Sequence, residues 1–466
     1  DRPFISNFII FVSVLTAQRG MSRIRHILIA VLILTLSPAL RAQETWTLEK
    51  CIEYAWSNNL SIKQQNIEVS RSEAQLLQDK LDFAPSLNVS FGHNLNWGRS
   101  VDLQNLEIIH NKLSQSTSAS ANASIYLLDG LSKLYGLKSS QKSLEISIQE
   151  VERLKDEISV SIAKSYLQIL LAREILAAAE ESFHSLQEQR DRTRLLVEAG
   201  SQPYTSLLDI ESQLASERVQ VVTAESQVRT NTLALQQLLD LQYSPDFRIA
   251  VPDIDYIIQG YTADNIDEIY AGALSMPVIQ SARLALDKGE LDLKSAKGQL
   301  YPKISLSASY GTFYSSSTFA PDGSVYPFFE QFRDNINPSI SLGLSIPIFN
   351  NWSVRTNVRN ARLAKESLEL ELRAKEQTLY KEIQTAVTEA ETYYRQMEAA
   401  EANVASMQES FRYVEEKFNA GALNSTDYTV ARTNLLKARS EYLQAKYQFI
   451  FQLKIIDFYK GIPMSL

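Results

Sequence analysis

The clearest pattern in the chain is an alternation of apolar and small polar residues between Pro338 and Trp352. Every second position is apolar, and the positions between hold Ser, Gly or Pro; the apolar residues are Ile340, Leu342, Leu344, Ile346 and Ile348. A period of two predicts a β-strand with one apolar face and one small polar face. Directly after Asn350-Asn351 the period becomes helical.

Four such alternating runs predict four strands, over residues 86–97, 116–127, 303–314 and 338–348. Each run is long enough to cross a bilayer as a tilted strand, which takes roughly 9–11 residues. Their polar positions are almost all Ser, Asn and Gly, which suits the inside of a barrel better than a water-facing sheet. Because four strands cannot close a barrel, several chains must complete it together. The alternative is an antiparallel sheet that covers a soluble core.

Long helical segments follow the second and fourth strands. A helix is predicted over residues 131–198, with a stop at Gly200 and a return helix to about residue 241. The same order recurs later, since Phe349-Asn350-Asn351 corresponds to Leu128-Asp129-Gly130 and Ala420-Gly421 to Ala199-Gly200. Paired landmarks lie 217–221 residues apart. The pattern therefore predicts a tandem duplication whose units each have a sheet end and a distant helical tip.

These landmarks define the predicted organisation of the chain. Residues 43–242 form the first repeat, residues 243–262 a linker, residues 263–461 the second repeat with its turn at 421, and residues 462–466 a tail. A basic segment at Met21, an apolar stretch and a small-residue site near Ala42 predict a signal peptide over residues 21–42. A membrane anchor is the alternative, but the apolar stretch is short. Residues 1–20 are interpreted as translation upstream of the natural start.

Composition narrows the function classes. The net charge is −8 and the sequence pI about 5.4, which argues against nucleic-acid binding. Gly and Pro are few, as long helices require. The single cysteine, Cys51, allows no intrachain disulfide and is expected to be buried in the first helix. Catalytic, metal-binding and nucleotide-binding motifs are absent from the sequence, so we expect neither an enzyme nor a cofactor.

Several motifs together resemble the TolC-like outer-membrane efflux protein family. They are the Leu48, Ile52, Ala55 spacing of the first helix, Pro85 and Pro302 ahead of strands, and the strand–helix junction Pro347-Ile-Phe-Asn-Asn351. The tip of the second repeat adds Phe418, Gly421, Ser425 and Asp427. The likeness covers essentially the whole chain after residue 42. The junction departs from the family's usual Pro-Leu-Phe-Asp-Gly-Gly, and Tyr126 stands where the first repeat would have Pro.

The resemblance implies a mixed, mostly α fold in an elongated tandem repeat. Long coiled-coil helices would form an α-barrel tunnel, and three chains would each give four transmembrane strands to one twelve-stranded β-barrel. The homotrimer would sit in outer-membrane lipid with its helices in the periplasm. It would serve as a passive exit duct for a periplasmic adaptor protein and an inner-membrane pump. The family also serves type I polypeptide secretion, and a secreted, soluble coiled-coil scaffold is the alternative of another class.

The same resemblance points to a gate at the helical tip. Asp427 matches a tip aspartate that three chains would arrange as an acidic, cation-selective ring. The alternative is a carboxylate that complements the dipole at a helix N-terminus. Ser206 occupies the equivalent position of the first repeat, and Asp209 follows it. Leu423 stands where the family can have a gate-locking Arg, so Arg192, Arg194 and Arg432 are possible substitutes, each of which could also be a solvated helix-face residue.

The tip turns are also the expected contact site for the adaptor. Gly200 and Gly421 are predicted to end helices in the left-handed conformation. The resemblance implies that these turns and their flanking residues contact the adaptor, with Leu196, Ala199, Phe418 and Ala420 as the apolar part. Packing between subunits is the alternative role for these residues.

Overall fold

A computed structural model describes residues 45–101, 108–258, 261–262, 264–320 and 323–466. The signal peptide predicted over residues 21–42, and residues 1–20, lie outside the described residues. The strands are β1 (Ser86–Val101), β2 (Ile108–Asp129), β3 (Lys303–Ser315) and β4 (Asn337–Ser345). The helices are α1 (Leu48–Asn58), α2 (Leu60–Leu81), α3 (Ser132–Glu198), α4 (Tyr204–Leu238), α5 (Asp255–Ile258), α6 (Ile266–Ala273), α7 (Pro277–Gly298), α8 (Phe328–Asp334), α9 (Ser353–Asn419) and α10 (Ser425–Tyr459).

The predicted duplication is visible in the lengths of matching helices. Helices α2 and α7 each have 22 residues, α3 and α9 each have 67, and α4 and α10 each have 35. At ~1.5 Å per residue, α3 and α9 are each about 100 Å long. Helix α3 packs against α4, and α9 packs against α10, so each repeat ends in a helical hairpin.

The backbone repeats the same special conformations. Positive φ angles occur at matching residues 221 positions apart: Gly130 with Asn351, Leu131 with Trp352, Gly200 with Gly421, and Asp240 with Gly461. At the strand–helix junctions, two consecutive residues take the left-handed conformation. This conformation is costly for side chains such as Leu and Trp, so the surrounding structure must impose it. The duplication therefore preserves backbone geometry where the residue types have diverged.

The sheet is antiparallel throughout, in the order β1-β2-β3-β4. One face carries Ser pairs that hydrogen-bond across strands, such as Ser86 with Ser124 at 3.0 Å and Ser90 with Ser120 at 2.8 Å. The other face is apolar and is not covered by any of the described residues: Val89 is 78% exposed and Ile340 is 80% exposed. The predicted alternation is thus confirmed, and the alternative of a soluble core beneath the apolar face is not what the chain shows.

Four strand boundaries differ by two or more residues from the predicted ones. The first strand was expected to end at residue 97 and the second to begin at residue 116, but β1 continues to Val101 and β2 begins at Ile108 because their backbones keep pairing along this stretch. Strand β2 also runs on to Asp129, which pairs with Lys303. Strand β4 ends at Ser345 rather than at residue 348, because its partner β3 begins at Lys303 and offers nothing further to pair with.

The helices bury apolar seams within each repeat. In the first repeat, α1 buries Leu48, Ile52 and Ala55, and Cys51 is buried as predicted, whereas Trp56 on the same helix is 42% exposed. Burial raises the pKa of the Cys51 thiol to about 12, so it remains protonated at neutral pH. In the second repeat, a cluster joins α6, α7, α9 and α10; its fully buried members include Ile279, Ile383 and Phe449.

Among the described residues, a small separate unit comprises residues 45–47 together with Ser244–Val251. In its described part, Trp46 forms a parallel bridge with Ile249, and the Trp46 and Phe247 rings lie 5.4 Å apart. The predicted linker 243–262 is therefore partly ordered by backbone pairing. Within the described residues, none of the helices has the combined length and apolarity that a membrane-spanning helix needs.

The close approach of Gly130 to Gly298 gives a first prediction. A Cβ at Gly130 would lie well inside van der Waals contact of the Gly298 carbonyl oxygen, and the φ of +69° is unfavourable for alanine. Gly130→Ala should therefore lower the melting temperature strongly. Gly200→Ala is the matched control, because its φ is +74° but nothing lies within 4 Å. The control should cost only about 1 kcal/mol; equal losses in both variants would contradict the packing explanation.

Asp156 on α3 gives a pH-dependent prediction. Burial raises the pKa of Asp156 to about 6, and nearby Glu152 raises it too. The folded chain therefore holds this proton more tightly than the unfolded chain, whose Asp pKa is about 3.9, and stability falls as pH rises through this range. Asp156→Asn should raise the melting temperature at pH 7.5, and the gain should shrink as pH falls from 6 to 4. Glu180→Gln, an exposed carboxylate on the same helix, is the control and should show no such trend.

Candidate functional site

The two hairpin turns share one backbone design. Helix α3 ends before Gly200 and helix α9 before Gly421, with φ angles of +74° and +73°. The next amides bond back to helix carbonyls, Ser201 N to Leu196 O at 2.8 Å and Ala422 N to Lys417 O at 2.9 Å. This is the helix-ending arrangement expected for glycine, and both glycines are exposed.

The start of α10 places Asp427 in its first turn. Asn424 is the N-cap, and its side-chain oxygen accepts a hydrogen bond from the Asp427 amide at 2.8 Å. The Asp427 carboxylate is exposed beside the positive end of the helix, as the dipole explanation requires. The role of Asn424 was missed from the sequence, although Asn three residues ahead of Asp is a recognisable capping signature.

In the first repeat, the corresponding turn lacks this cap. Helix α4 begins after Pro203 without a side-chain capping bond, and the Ser206 amide donates to the Pro203 carbonyl at 3.0 Å. Ser206 is half-buried. The two repeats therefore differ at the tip, and only the second carries an exposed carboxylate at this position.

Asp209 joins the two hairpins within one chain. The Ser425 hydroxyl donates to Asp209 at 2.7 Å, and one helical turn further the Thr429 hydroxyl donates to Gln213 at 2.8 Å. These contacts connect the start of α10 with α4. The sequence indicated Asp209 as a gate residue without indicating this partner, because 216 residues separate the two.

The basic residues of the tip do not contact Asp427 or Asp209. Arg194 lies 3.7 Å from Glu211 in the same hairpin, and both side chains are nearly half exposed, so the pair contributes little stability. Arg432 was interpreted as a possible solvated helix-face residue, and that interpretation is wrong. It is 4% exposed and donates to the Ser182 hydroxyl from Nε at 3.1 Å and to the Ser182 carbonyl from Nη2.

Arg432 lies beside an apolar cluster that holds the hairpins together. The cluster consists of Leu186, Ile210, Phe418 and Tyr428. Burial raises the pKa of Tyr428, an effect that the Arg432 cation partly offsets. The Nη1 atom of Arg432 and the Tyr428 hydroxyl have no hydrogen-bond partner among the described residues. Contacts across four helices (α3, α4, α9 and α10) thus meet at this place, and Arg432 bonds to Ser182 rather than to either tip aspartate.

Phe418 is a correction to the expected adaptor surface. It is 3% exposed, and its ring lies 4.8 Å from that of Tyr428, so it packs inside the chain. Ala199 and Ala420 are exposed, and Leu196 is half-buried. Two exposed apolar side chains near the turn were missed, Leu195 at 66% and Tyr204 at 63%. A helical face cannot be assigned from sequence at the end of a helix, where the flanking pattern stops.

No group of three or more His, Cys, Asp or Glu side chains that could hold a metal occurs among the described residues. The tip offers exposed carboxylate, small residues and a few apolar side chains. Such a surface can repel or attract ions and contact a protein partner.

Comparison with known proteins identifies the family. The model of the outer membrane efflux protein family matches residues 51–240 and 273–453, which are the two repeats. The pyoverdine export outer membrane protein OpmQ of Pseudomonas putida is 23% identical over 423 residues, covering 89% of this chain and 85% of that protein. The cation efflux system protein CusC of Escherichia coli is 22% identical over 410 residues, covering 85% of this chain and 82% of CusC.

Solved structures show the same fold. A crystal structure of CusC superposes with a TM-score of 0.76 at 19% identity, covering 90% of this chain and 94% of CusC. The Campylobacter jejuni CmeC outer membrane channel superposes with a TM-score of 0.72 at 20% identity, covering 90% of this chain and 87% of CmeC. The duplicated helical hairpins, the four-stranded sheet and the matched family model agree: this chain belongs to the outer membrane efflux protein family and is an outer-membrane efflux channel, not an enzyme.

Proposed function

We propose that three copies of this chain assemble into one duct, which conducts substrates passively from a periplasmic adaptor and an inner-membrane pump to the exterior. The observation that carries this proposal is the four-stranded sheet. Its outer face is apolar and exposed, and its two edge strands, β1 and β4, each pair on one side only within the part of the chain that the structure describes. Unpaired backbone groups are not tolerated in lipid, so the sheet must be completed by other copies.

Three sheets in a ring satisfy this requirement. Strand β1 leads away from α2, and β4 leads back to α9, so β4 of one copy and β1 of the next would run antiparallel. Twelve strands would then alternate in direction without interruption. The Ser, Asn and Gly face would line the interior, and the face with Val89 and Ile340 would meet lipid.

The tip of the same assembly would form the gate and the docking surface. Three exposed Asp427 carboxylates around the axis would make a cation-selective constriction. Asp209 would support the gate through its bond to Ser425, while Ser206 and Arg194 would flank it. Arg432 would act indirectly, by holding α10 to α3.

The adaptor would contact the exposed turns. The proposed surface comprises Gly200 and Gly421 with Leu196, Ala199 and Ala420, to which we add Leu195 and Tyr204; Phe418 is removed because it is buried. The relatives are named for different exports, pyoverdine for OpmQ and cations for CusC. Because a passive duct does not select its substrate, the pump with which this chain pairs would determine which substrate is exported.

The two faces of β4 give a test of the barrel. Leu342→Lys puts a charge on the proposed lipid face, where Lys costs about 2–4 kcal/mol at the bilayer midplane. We expect it to reduce the fraction of membrane-inserted trimer, measured by native gel and by planar-bilayer conductance. Ser341→Lys on the opposite face should keep the trimer and change only its conductance. A protein that is soluble without detergent, or equal loss of assembly in both variants, would contradict the proposal.

The acidic ring is tested by cation block. In planar bilayers, trivalent cations should block the wild-type conductance, and Asp427→Asn should relieve that block by about tenfold or more in cation concentration. Asp209→Asn is the comparison. Because Asp209 already accepts a hydrogen bond from Ser425, its replacement should change the cation concentration needed for block less than that of Asp427 does. If block persists unchanged in Asp427→Asn, the duct remains and the assigned constriction is wrong.

A further inference from the structure

A cavity of about 410 Å³ lies where β2 passes into α3, against the C-terminal end of α7. Its walls are mainly apolar, and two lysines are the charged residues in its lining; the principal residues are Leu128, Leu131, Tyr135, Lys294, Lys297 and Tyr301. Apolar walls combined with cations favour a ligand that is itself part apolar and part anionic. The tip machinery described above does not use this site.

A bulge in β2 places Leu128, which lines the cavity, on the apolar face of the sheet. The pairing of β2 with β3 passes from Tyr126–Ser305 to Leu128–Ile304 and skips Leu127. Leu128 therefore shares a face with Ile304, which pairs with Leu344 of the apolar stripe on β4. The cavity begins at the residue where the apolar face of the sheet ends.

The positive charge at the cavity is only partly neutralised. Lys294 forms an ion pair with Glu290 at 2.8 Å. Lys297 is exposed, and its side-chain ammonium group has no ion pair or hydrogen bond among the described residues; none of the residues that line the cavity is acidic. An anionic group near Lys297 would therefore gain favourable electrostatic energy without displacing an existing partner.

The position of the cavity in the sheet leaves it open in the proposed trimer. It lies on the seam between the two repeats, at the junction of β2 and β3, which are the inner strands. Neighbouring copies would join at the outer strands, β1 and β4. Leu131 and Tyr301, at 48% and 60% exposure, would then face the surrounding membrane rather than another subunit.

We propose that this cavity binds one anionic glycerophospholipid of the membrane leaflet that adjoins the helices. The phosphate lies at Lys294 and Lys297, and the start of an acyl chain lies along Leu128 and Leu131. The inference rests on the proposed placement of the sheet in a bilayer. The volume suits the glycerol-phosphate region of one lipid and not a whole lipid, so the remaining chain continues along the apolar face of the sheet.

The test is native mass spectrometry of the delipidated trimer in detergent, titrated with phosphatidylglycerol. We expect saturation at one tightly bound lipid per chain. Lys294→Gln/Lys297→Gln should weaken this binding on the order of tenfold, since each basic residue contributes to attraction of an anionic lipid. Lys417→Gln/Lys437→Gln removes the same charge from exposed positions on α9 and α10, and should bind as the wild type does.

Two further measurements separate the possible outcomes. Phosphatidylcholine should bind more weakly than phosphatidylglycerol. Inorganic phosphate alone should not displace bound phosphatidylglycerol. If phosphate does displace it, the cavity is a plain anion site and the lipid assignment is overturned. Equal lipid binding by both double variants would overturn it as well. Because the trimer and its conductance are measured on the same preparations, a wild-type trimer that conducts but binds no phosphatidylglycerol refutes this inference while leaving the proposed duct in place.

Discussion

The edges of the sheet carry backbone N–H and C=O groups that have no partner strand among the described residues, and the arrangement of the sheet and helices depends on how these groups are paired. Strands β1 and β4 each leave one edge open, and the apolar face between them is exposed. In a bilayer an open edge costs several kcal/mol for each unsatisfied group, which is the physical reason for the assembly of several copies proposed above. A closed ring would also fix the positions of the helices, because each strand pair is joined directly to a long hairpin.

Because of the duplication, both halves of the chain join the sheet to a long helical hairpin in the same way. The two halves keep the same helix lengths and the same left-handed residues at their strand–helix junctions, although Gly130-Leu131 has become Asn351-Trp352. Backbone geometry is preserved where a strand must turn into a helix at a fixed angle. The tips are freer to diverge, and there one repeat has gained Asn424 and Asp427 while the other begins its helix with Pro203.

Two kinds of contact hold the hairpins of one chain together near the tip. One is an apolar cluster around Phe418 and Tyr428; the other is a set of polar bonds, from Arg432 to Ser182 and from Ser425 to Asp209. The polar bonds at the very tip are exposed, so they are weak and reversible compared with the cluster behind them. This order of strength would suit the proposed gate, which requires the tip to open while the rest of the hairpin stays packed.

The sequence by itself determined the strands, the long helices, the turns at Gly200 and Gly421, and the duplication, because each follows from local periodicity or from a conformation that one residue type favours. It also indicated that the sheet was incomplete. The tertiary structure decided what no local pattern encodes: that Arg432 is buried rather than solvated, that Phe418 packs inward, and that Asp209 pairs with Ser425. Those outcomes depend on which helices become neighbours, and residues more than 200 positions apart meet only when both hairpins have folded against each other.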